Sequence, residues 1–213
     1  MFYKGKPLRS FRQADIEWST ELLGNSRTST VGAKGCAVAC VAMATQLRGA
    51  GGLLTPRQVN IAGRAAGGFV SGSGSMILER LAKSASLVAP ESLRLRDKDP
   101  SVEADQKVLA STIFRSLSKA SAGGFFVDGG FCILNVDHNG DEHPDHFILL
   151  VGPSGDHGWE ALDPAPGASI RIDSLTFQGD SLWGHSPGGT EIWKHYKVIG
   201  AAPIGVELSG DFR

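Results

Sequence analysis

The stretch that most constrains this chain is residues 36–47, CAVACVAMATQL, which follows Gly35. Placed on a helix, its residues are apolar almost all round. A helix of that kind is normally buried in the centre of a domain, because none of its faces suits water. We therefore expect a helix that begins at Cys36 and lies in the core.

Other helical patterns precede a change in the character of the sequence. Thr55 is a capping residue and Pro56 suits the first helical position, so together they open a helix that runs to the glycine pair at 67–68. Apolar residues at helical spacing predict further helices, and a weak helical pattern also covers the region before Gly24. These patterns span residues 13–23, 73–85 and 102–119.

Short β-rich runs follow after residue 130. Residues 131–136 (FCILNV) and 146–151 (HFILLV) predict an antiparallel hairpin, and residues 158–162 (GWEAL) predict the next strand. Further strands are predicted at 169–172 and 192–199, whereas the Gly/Ser-rich stretch 177–189 is interpreted as a loop on the substrate side or a covering loop. Helices first and strands second indicate an α+β fold, with an antiparallel sheet packed on a helical half.

Size and composition fit one domain over residues 1–213 and narrow the classes of partner. A net charge of −1 gives no electrostatic basis for binding nucleic acid or an anionic membrane surface. No apolar run approaches the roughly 20 residues that span a bilayer. The polar N-terminus is not typical of a signal peptide. We therefore expect synthesis in the cytoplasm, with release by lysis or incorporation into a larger particle.

Cys36 is the candidate nucleophile among three cysteines. Cysteine hydrolases need a thiolate, which a helix N-terminus and a nearby imidazole both favour. Small neighbours, Gly35 and Ala37, would let a substrate carbonyl approach the backbone. Cys40 lies one turn later and Cys132 lies within a strand, and both are interpreted as core packing. A buried structural cysteine is the alternative interpretation of Cys36.

His146 and Asp163 are the candidate base and orienting acid. His146 begins a predicted strand and Asp163 ends the next one, so antiparallel pairing would bring their side chains together. The alternatives are a polar residue that closes a hairpin loop, for His146, and turn formation before Pro164, for Asp163. The order of thiol, imidazole and carboxylate along the chain favours the catalytic interpretation.

Several short stretches also match a known family in order. They are residues 11–18 (FRQADIEW), 23–26 (LGNS), 35–43 (GCAVACVAM), 55–60 (TPRQVN), 146–152 (HFILLVG) and 162–164 (LDP). From about residue 11 to 165 the chain resembles papain-like cysteine peptidases related to the bacteriocin-leader-processing peptidases. The similarity is greatest to the small phage and bacterial cell-wall members of that group.

The resemblance implies a papain-like fold and a role for four residues. Cys36 would be the nucleophile, His146 the base and Asp163 the orienting acid. Gln13 matches an upstream glutamine whose amide helps to form the oxyanion hole, a contribution of roughly 3 kcal/mol. Relatives often carry Thr or Ser near the positions of Ala39 and Cys40, which is a departure in this chain. No cofactor is expected.

The same resemblance implies hydrolysis of amide bonds in bacterial peptidoglycan. A phage lysin or a tail-associated wall hydrolase is the expected setting, with other components of a phage particle as partners. Two alternatives stay open. The enzyme could process a protein partner, or the chain could be a catalytically silent papain-like module with a structural or adaptor role.

A metal site is an open alternative at one loop. Residues 137–142 (DHNGDE) place oxygen ligands at alternate positions, as at the beginning of a calcium loop, but the completing Glu is missing at the EF-hand spacing. A solvated turn with Asn-Gly chemistry explains the run equally well. A zinc site built from Cys36 and Cys40 is disfavoured, because an apolar helix leaves little room for further ligands.

Overall fold

The structure is a computed structural model in which the helices lie in the N-terminal part of the chain and most strands follow them. It describes residues 2–3, 6–49, 52–89, 93–94, 130–137, 145–154, 158–172, 174–178, 181–187 and 193–205. The predicted α+β class is confirmed. The helix predicted at 102–119 lies outside the described residues.

The helical part is built around one fully buried helix. Its elements are α1 (Val31–Lys34), α2 (Cys36–Ala44), a 3-10 turn (Thr45–Arg48), α3 (Pro56–Ala65) and α4 (Leu78–Ser84). Helix α2 begins at Cys36, as predicted, and all nine of its residues are buried. Helix α3 has the predicted cap: the Thr55 side chain accepts the Gln58 N–H, and the Gln58 side chain accepts the Thr55 N–H.

The helix predicted at 13–23 does not form, and the helix predicted at 73–85 was too long. Residues 13–23 form successive turns, such as the one closed by the Ser19 N–H and the Asp15 carbonyl. Helix α4 begins five residues later than predicted, at Leu78, because the chain before it folds into a loop closed by a bridge between Phe69 and Met76. Glycines and serines in that loop favour turns over helix.

All the described strands pair in antiparallel fashion; two lie near the N-terminus and the others follow the helices. They are β1 (Phe2–Tyr3), β2 (Lys6–Pro7), β3 (Leu93–Arg94), β4 (Phe131–Asp137), β5 (His146–Ser154), β6 (Gly158–Asp163), β7 (Ala168–Ile172), β8 (Ser174–Gln178), β9 (Ser181–Pro187) and β10 (Trp193–Ile204). Strands β1 and β2 pair with each other. Among the described residues, the other eight strands form one sheet in the order β7-β6-β5-β4-β10-β9-β8, with β3 also pairing with β10. The predicted β4–β5 hairpin is confirmed.

The interpretation of residues 177–189 as a loop was wrong. Strand β9 occupies most of this stretch and pairs with β8 on one side and β10 on the other. The Gly/Ser-rich composition gives little intrinsic strand preference. Pairing on both sides supplies backbone hydrogen bonds that composition alone does not reveal.

The sheet separates two apolar clusters by the alternation of its side chains. On the face toward the helices, Ile133, Leu149 and Leu162 pack with α2 and its neighbours. On the opposite face, Leu134 and Leu150 belong to a second cluster. Helix α2 lies against β5, β4 and β6 and is covered by α3 and α4. The first residue of α2 is therefore held at the end of the sheet where β5 begins.

No helix within the described ranges combines the length and the apolar character needed to cross a membrane.

Helix α3 anchors the segment that precedes α1. The buried Asn60 side chain accepts the Gly24 N–H at 2.8 Å and donates to the Leu22 carbonyl at 2.9 Å. Gly24 has a φ of +52°, and a Cβ there would lie 2.3 Å from the Phe69 ring. The path of this segment is thus fixed by one buried amide and by a position that only glycine fits.

Replacement of Asn60 by Ala should destabilise the fold by about 1–3 kcal/mol, since it leaves the buried Gly24 N–H without this acceptor, whereas the Leu22 carbonyl keeps its hydrogen bond from Arg64. The midpoint of urea unfolding, at unchanged m-value, measures the loss. Ile61→Ala on the same helix is the matched control, because Ile61 is 57% exposed and its truncation should change stability by about 0.5 kcal/mol or less. Equal effects of the two changes would contradict the anchoring role.

Candidate active site

Cys36 is the first residue of α2 and lines an open cleft of about 760 Å³. Its exposed fraction is 7%, which leaves the thiol reachable from the cleft. The Ala39 N–H donates to the Gly35 carbonyl at 2.9 Å, the first hydrogen bond of the helix. Helix geometry therefore leaves the Cys36 N–H without an acceptor inside the helix. The backbone N–H and the thiol of Cys36 therefore lie together at the start of α2.

Gly35 has a packing role that the sequence interpretation missed. Its N–H donates to the Val31 carbonyl at 2.7 Å, and a Cβ at Gly35 would lie 2.4 Å from that same oxygen. Ala37 is fully buried as well. The small size of these neighbours lets α1 pack closely on the start of α2. Access of a substrate carbonyl to the backbone, the reason expected from the sequence, stays a prediction.

His146 and Asp163 form a buried pair at adjacent strand ends. Nε2 of His146 lies 2.7 Å from Oδ1 of Asp163, and the exposed fractions are 8% and 0%. The same Oδ1 accepts the Ala165 N–H at 2.8 Å. Asp163 therefore forms the turn before Pro164 and contacts His146 at once, so the two alternative interpretations of this residue both apply. The turn fixes the carboxylate that orients the ring.

The ring of His146 also lies close enough to the Cys36 thiol to interact with it, and both residues line the same cleft. Because Nε2 is engaged by Asp163, Nδ1 is the ring nitrogen left for the thiol. Burial lowers the pKa of His146, but hydrogen bonds and negative charge from Asp163 and Cys36 raise it overall to about 9. The imidazole is thus protonated at neutral pH. An imidazolium beside a thiol favours the reactive thiolate.

Gln13 lines the same cleft and is held from two sides. Its Nε2 donates to the Gly32 carbonyl at 3.2 Å, and its backbone N–H donates to the Pro164 carbonyl at 2.8 Å. One N–H of the amide remains for another acceptor. Within the described ranges, Oε1 of Gln13 is buried without a hydrogen-bond partner. Gln13 is therefore tied to the segment before Cys36 through its side-chain amide and to the turn after Asp163 through its backbone N–H.

The other two cysteines lie in the core. Sγ of Cys40 donates to the Phe147 carbonyl at 3.4 Å. Burial, together with the charges of Cys36 and Asp163, raises the pKa of Cys40 well above its ordinary value. Burial also raises the pKa of Cys132 to about 12, although a hydrogen bond with the Ala202 backbone opposes the increase. Both thiols stay protonated at neutral pH, as the packing interpretation requires.

The described residues provide no set of ligands for either metal site considered from the sequence. Asp137 ends β4 and is buried, whereas residues 138–144 lie outside those ranges, so the calcium hypothesis at 137–142 stays a hypothesis. Within the same ranges, no group of three or more His, Cys, Asp or Glu side chains could hold a metal ion.

The structure brings the four sequence-predicted residues together: Asp163 contacts His146, His146 lies beside Cys36, and Gln13 lines the same cleft. Sequence reasoning missed the cleft walls. They come from residues 23–34 and 73–76 and are rich in serine. The alternating run SGSGS at 71–75 was an available signal, since such a run favours a loop over the start of a helix.

The chain matches no protein-family model, and comparisons with curated proteins and with solved structures also gave no match. Function is therefore inferred from the geometry of the cleft and from the short sequence stretches that resemble the papain-like peptidases. That family relationship stays a prediction.

Alkylation should separate the three thiols. At pH 7.5, iodoacetamide should modify Cys36 at least about tenfold faster than Cys40 or Cys132, because Cys36 lines the cleft beside an imidazolium, whereas the other two thiols are fully buried in the core. Mass spectrometry of the digested protein measures each rate. In the urea-unfolded chain the three rates should become similar. Slow and uniform labelling of the folded protein would contradict the assignment of Cys36 as an activated thiol.

The pKa of His146 can be measured directly by NMR titration of its ring protons, assigned through their absence in His146→Gln. We expect a value near 9 in the wild type. Asp163→Asn should lower it by about 1–3 pH units, since the negative charge that stabilises the imidazolium is removed. Glu79→Gln, at a separate cavity, is the charge-matched control and should leave the value unchanged. A wild-type pKa at or below 6.5 would refute the charged pair.

Proposed function

We propose that this protein is a papain-like cysteine hydrolase that cleaves amide bonds. The observation that carries the proposal is the grouping of Cys36, His146 and Asp163, at the start of a buried helix and at adjacent ends of two neighbouring strands. A thiol used for packing alone needs neither a buried imidazole nor a carboxylate behind it. The order of the three residues along the chain agrees with the resemblance in the sequence.

In the proposed first step, the Cys36 thiolate attacks the substrate carbonyl and a C–S bond forms. The Cys36 N–H and the remaining N–H of Gln13 hold the developing oxyanion. Protonated His146 gives its Nδ1 proton to the leaving amine as the C–N bond breaks. The products of this step are a free amine and a thioester on Cys36.

Water completes the reaction. Neutral His146 accepts a proton from water, whose oxygen attacks the thioester, and the Cys36 thiolate leaves with the regenerated imidazolium beside it. Asp163 keeps a proton on Nε2 throughout, so Nδ1 faces Cys36 in both steps. Both proton transfers, to the leaving amine and from water, therefore use Nδ1, the ring nitrogen on the Cys36 side.

The substrate that we propose is a peptide bond of bacterial peptidoglycan, with a phage lysin or a tail-associated hydrolase as the setting. This part of the proposal is supported by the resemblance of the sequence stretches around Gln13, Cys36, His146 and Asp163 to the small cell-wall members of the family. The cleft is open, which suits a substrate that is part of a large polymer.

The decisive change is Cys36→Ala, which should lower amine release from purified peptidoglycan by about a thousandfold or more while the fold is retained. The matched control is Cys132→Ala, which also removes a thiol but at a core position away from the cleft and should keep activity. Undiminished hydrolysis by Cys36→Ala would sink the proposal. Cleavage of a co-encoded protein without amine release from peptidoglycan would identify a processing peptidase in place of a wall hydrolase.

A further inference from the structure

One wall of the cleft, formed by Ser26, Ser73 and Lys34, offers hydrogen-bond donors that no acceptor of the described chain uses. Ser26 is nine-tenths buried there, and its Oγ accepts the N–H groups of Thr28 at 3.2 Å and Ser29 at 2.8 Å. Ser73, also on the cleft, accepts the Ser75 N–H at 2.7 Å. In the part of the chain that the structure describes, neither hydroxyl donates to a protein acceptor. Both hydroxyl oxygens are therefore fixed in place while their protons remain available to a ligand.

Lys34 adds a positive charge at the same cleft. It is the last residue of α1, two positions before Cys36, and it lines the cleft with Ser26 and Ser73. Its ammonium forms no ion pair among the described residues. Asp145 is the acidic residue of the cleft, and it lies on the strand side next to His146. The wall that carries Lys34 is thus cationic and rich in donors.

We propose that this wall binds a carboxylate of the substrate close to the scissile amide. Lys34 supplies the charge, and the hydroxyls of Ser26 and Ser73 supply hydrogen bonds. The substrate class is a peptide with either an acidic side chain or a free C-terminal carboxylate beside the bond that is cleaved. The inference rests on the proposed function, because the same cleft holds Cys36.

A carboxylate fits these groups better than a neutral carbonyl. The Ser26 hydroxyl accepts two backbone N–H groups and the half-buried Ser73 hydroxyl accepts one, so both oxygens are engaged while both protons remain to be donated. The serine hydroxyls form stronger hydrogen bonds with a charged acceptor than with a neutral one. The Lys34 ammonium attracts a negative carboxylate more strongly than a neutral carbonyl. Ser26 and Ser73 come from two different loops and Lys34 comes from α1, and all three line the same cleft.

Two alkylating agents of nearly equal size test this wall without a hydrolytic substrate. Iodoacetate carries a carboxylate, iodoacetamide is neutral, and both react with the same thiolate of Cys36. The ratio of their rate constants therefore reports the charge preference of the cleft and cancels changes in nucleophilicity. In Lys34→Met the iodoacetate-to-iodoacetamide ratio should fall by about two- to fivefold relative to the wild type. Lys34→Arg should retain most of the wild-type ratio.

The matched control is Lys83→Met, which makes the same charge change at a separate cavity of about 740 Å³. Its ratio should equal that of the wild type, and the difference between the two lysine variants should shrink at high salt. An unchanged ratio in Lys34→Met would overturn the carboxylate site even if Cys36 hydrolyses amides. Conversely, a lowered ratio in a protein without hydrolase activity would retain the site and reject the proposed function.

Protection of Cys36 from iodoacetamide distinguishes the two sources of carboxylate. N-acetylglutamate amide offers a side-chain carboxylate, and N-acetylglycine offers a terminal one; N-acetylglutamine amide and N-acetylglycinamide are their neutral counterparts. Stronger protection by the first acid supports an acidic residue in the substrate, and stronger protection by the second supports a free C-terminus. Protection by the acids that does not exceed that of the neutral amides would contradict the proposal.

Discussion

Burial of helix α2 between the sheet and the other helices decides where the thiol lies. Its residues are apolar or small on every face and all nine are buried, so the rest of the fold must enclose the helix except where Cys36 meets the cleft. Strand β5 covers much of it. Cys36 lies beside the ring of His146, and the Cys40 thiol donates a hydrogen bond to the Phe147 carbonyl. The meeting of thiol and imidazole is therefore a result of core packing, which also makes it rigid.

The carboxylate behind the imidazole is stable for a related reason. A buried Asp without partners would cost several kcal/mol, but Asp163 accepts hydrogen bonds from His146 and from the Ala165 N–H. The imidazolium also balances its charge. Because Pro164 of the same turn accepts the Gln13 N–H, the turn after β6 supports the proposed oxyanion donor as well as the ring. Gly167, with a φ of +70°, completes the turn, and a Cβ there would lie 2.5 Å from the Arg12 side chain.

The sequence predicts those parts of the fold that depend on strong local signals. The apolar run from Cys36 and the Thr55 cap locate two helices, and the runs on either side of Asp145 locate the central hairpin. Strands β8 and β9 could not be predicted, since their stability comes from pairing with each other and with β10. The candidate triad followed from positions at element ends, whereas the cleft walls depend on how distant loops approach one another.

The tie between Gln13 and Pro164 has a consequence for how the protein is made. During synthesis the thiol appears early, but its base, the orienting acid and the support for the amide are all encoded more than a hundred residues later. A partly synthesised chain holds Cys36 without the groups that would activate it. The proposed hydrolase is therefore kept inactive on the ribosome by its own chain order, until the turn after residue 163 has emerged and folded back onto the N-terminal segment.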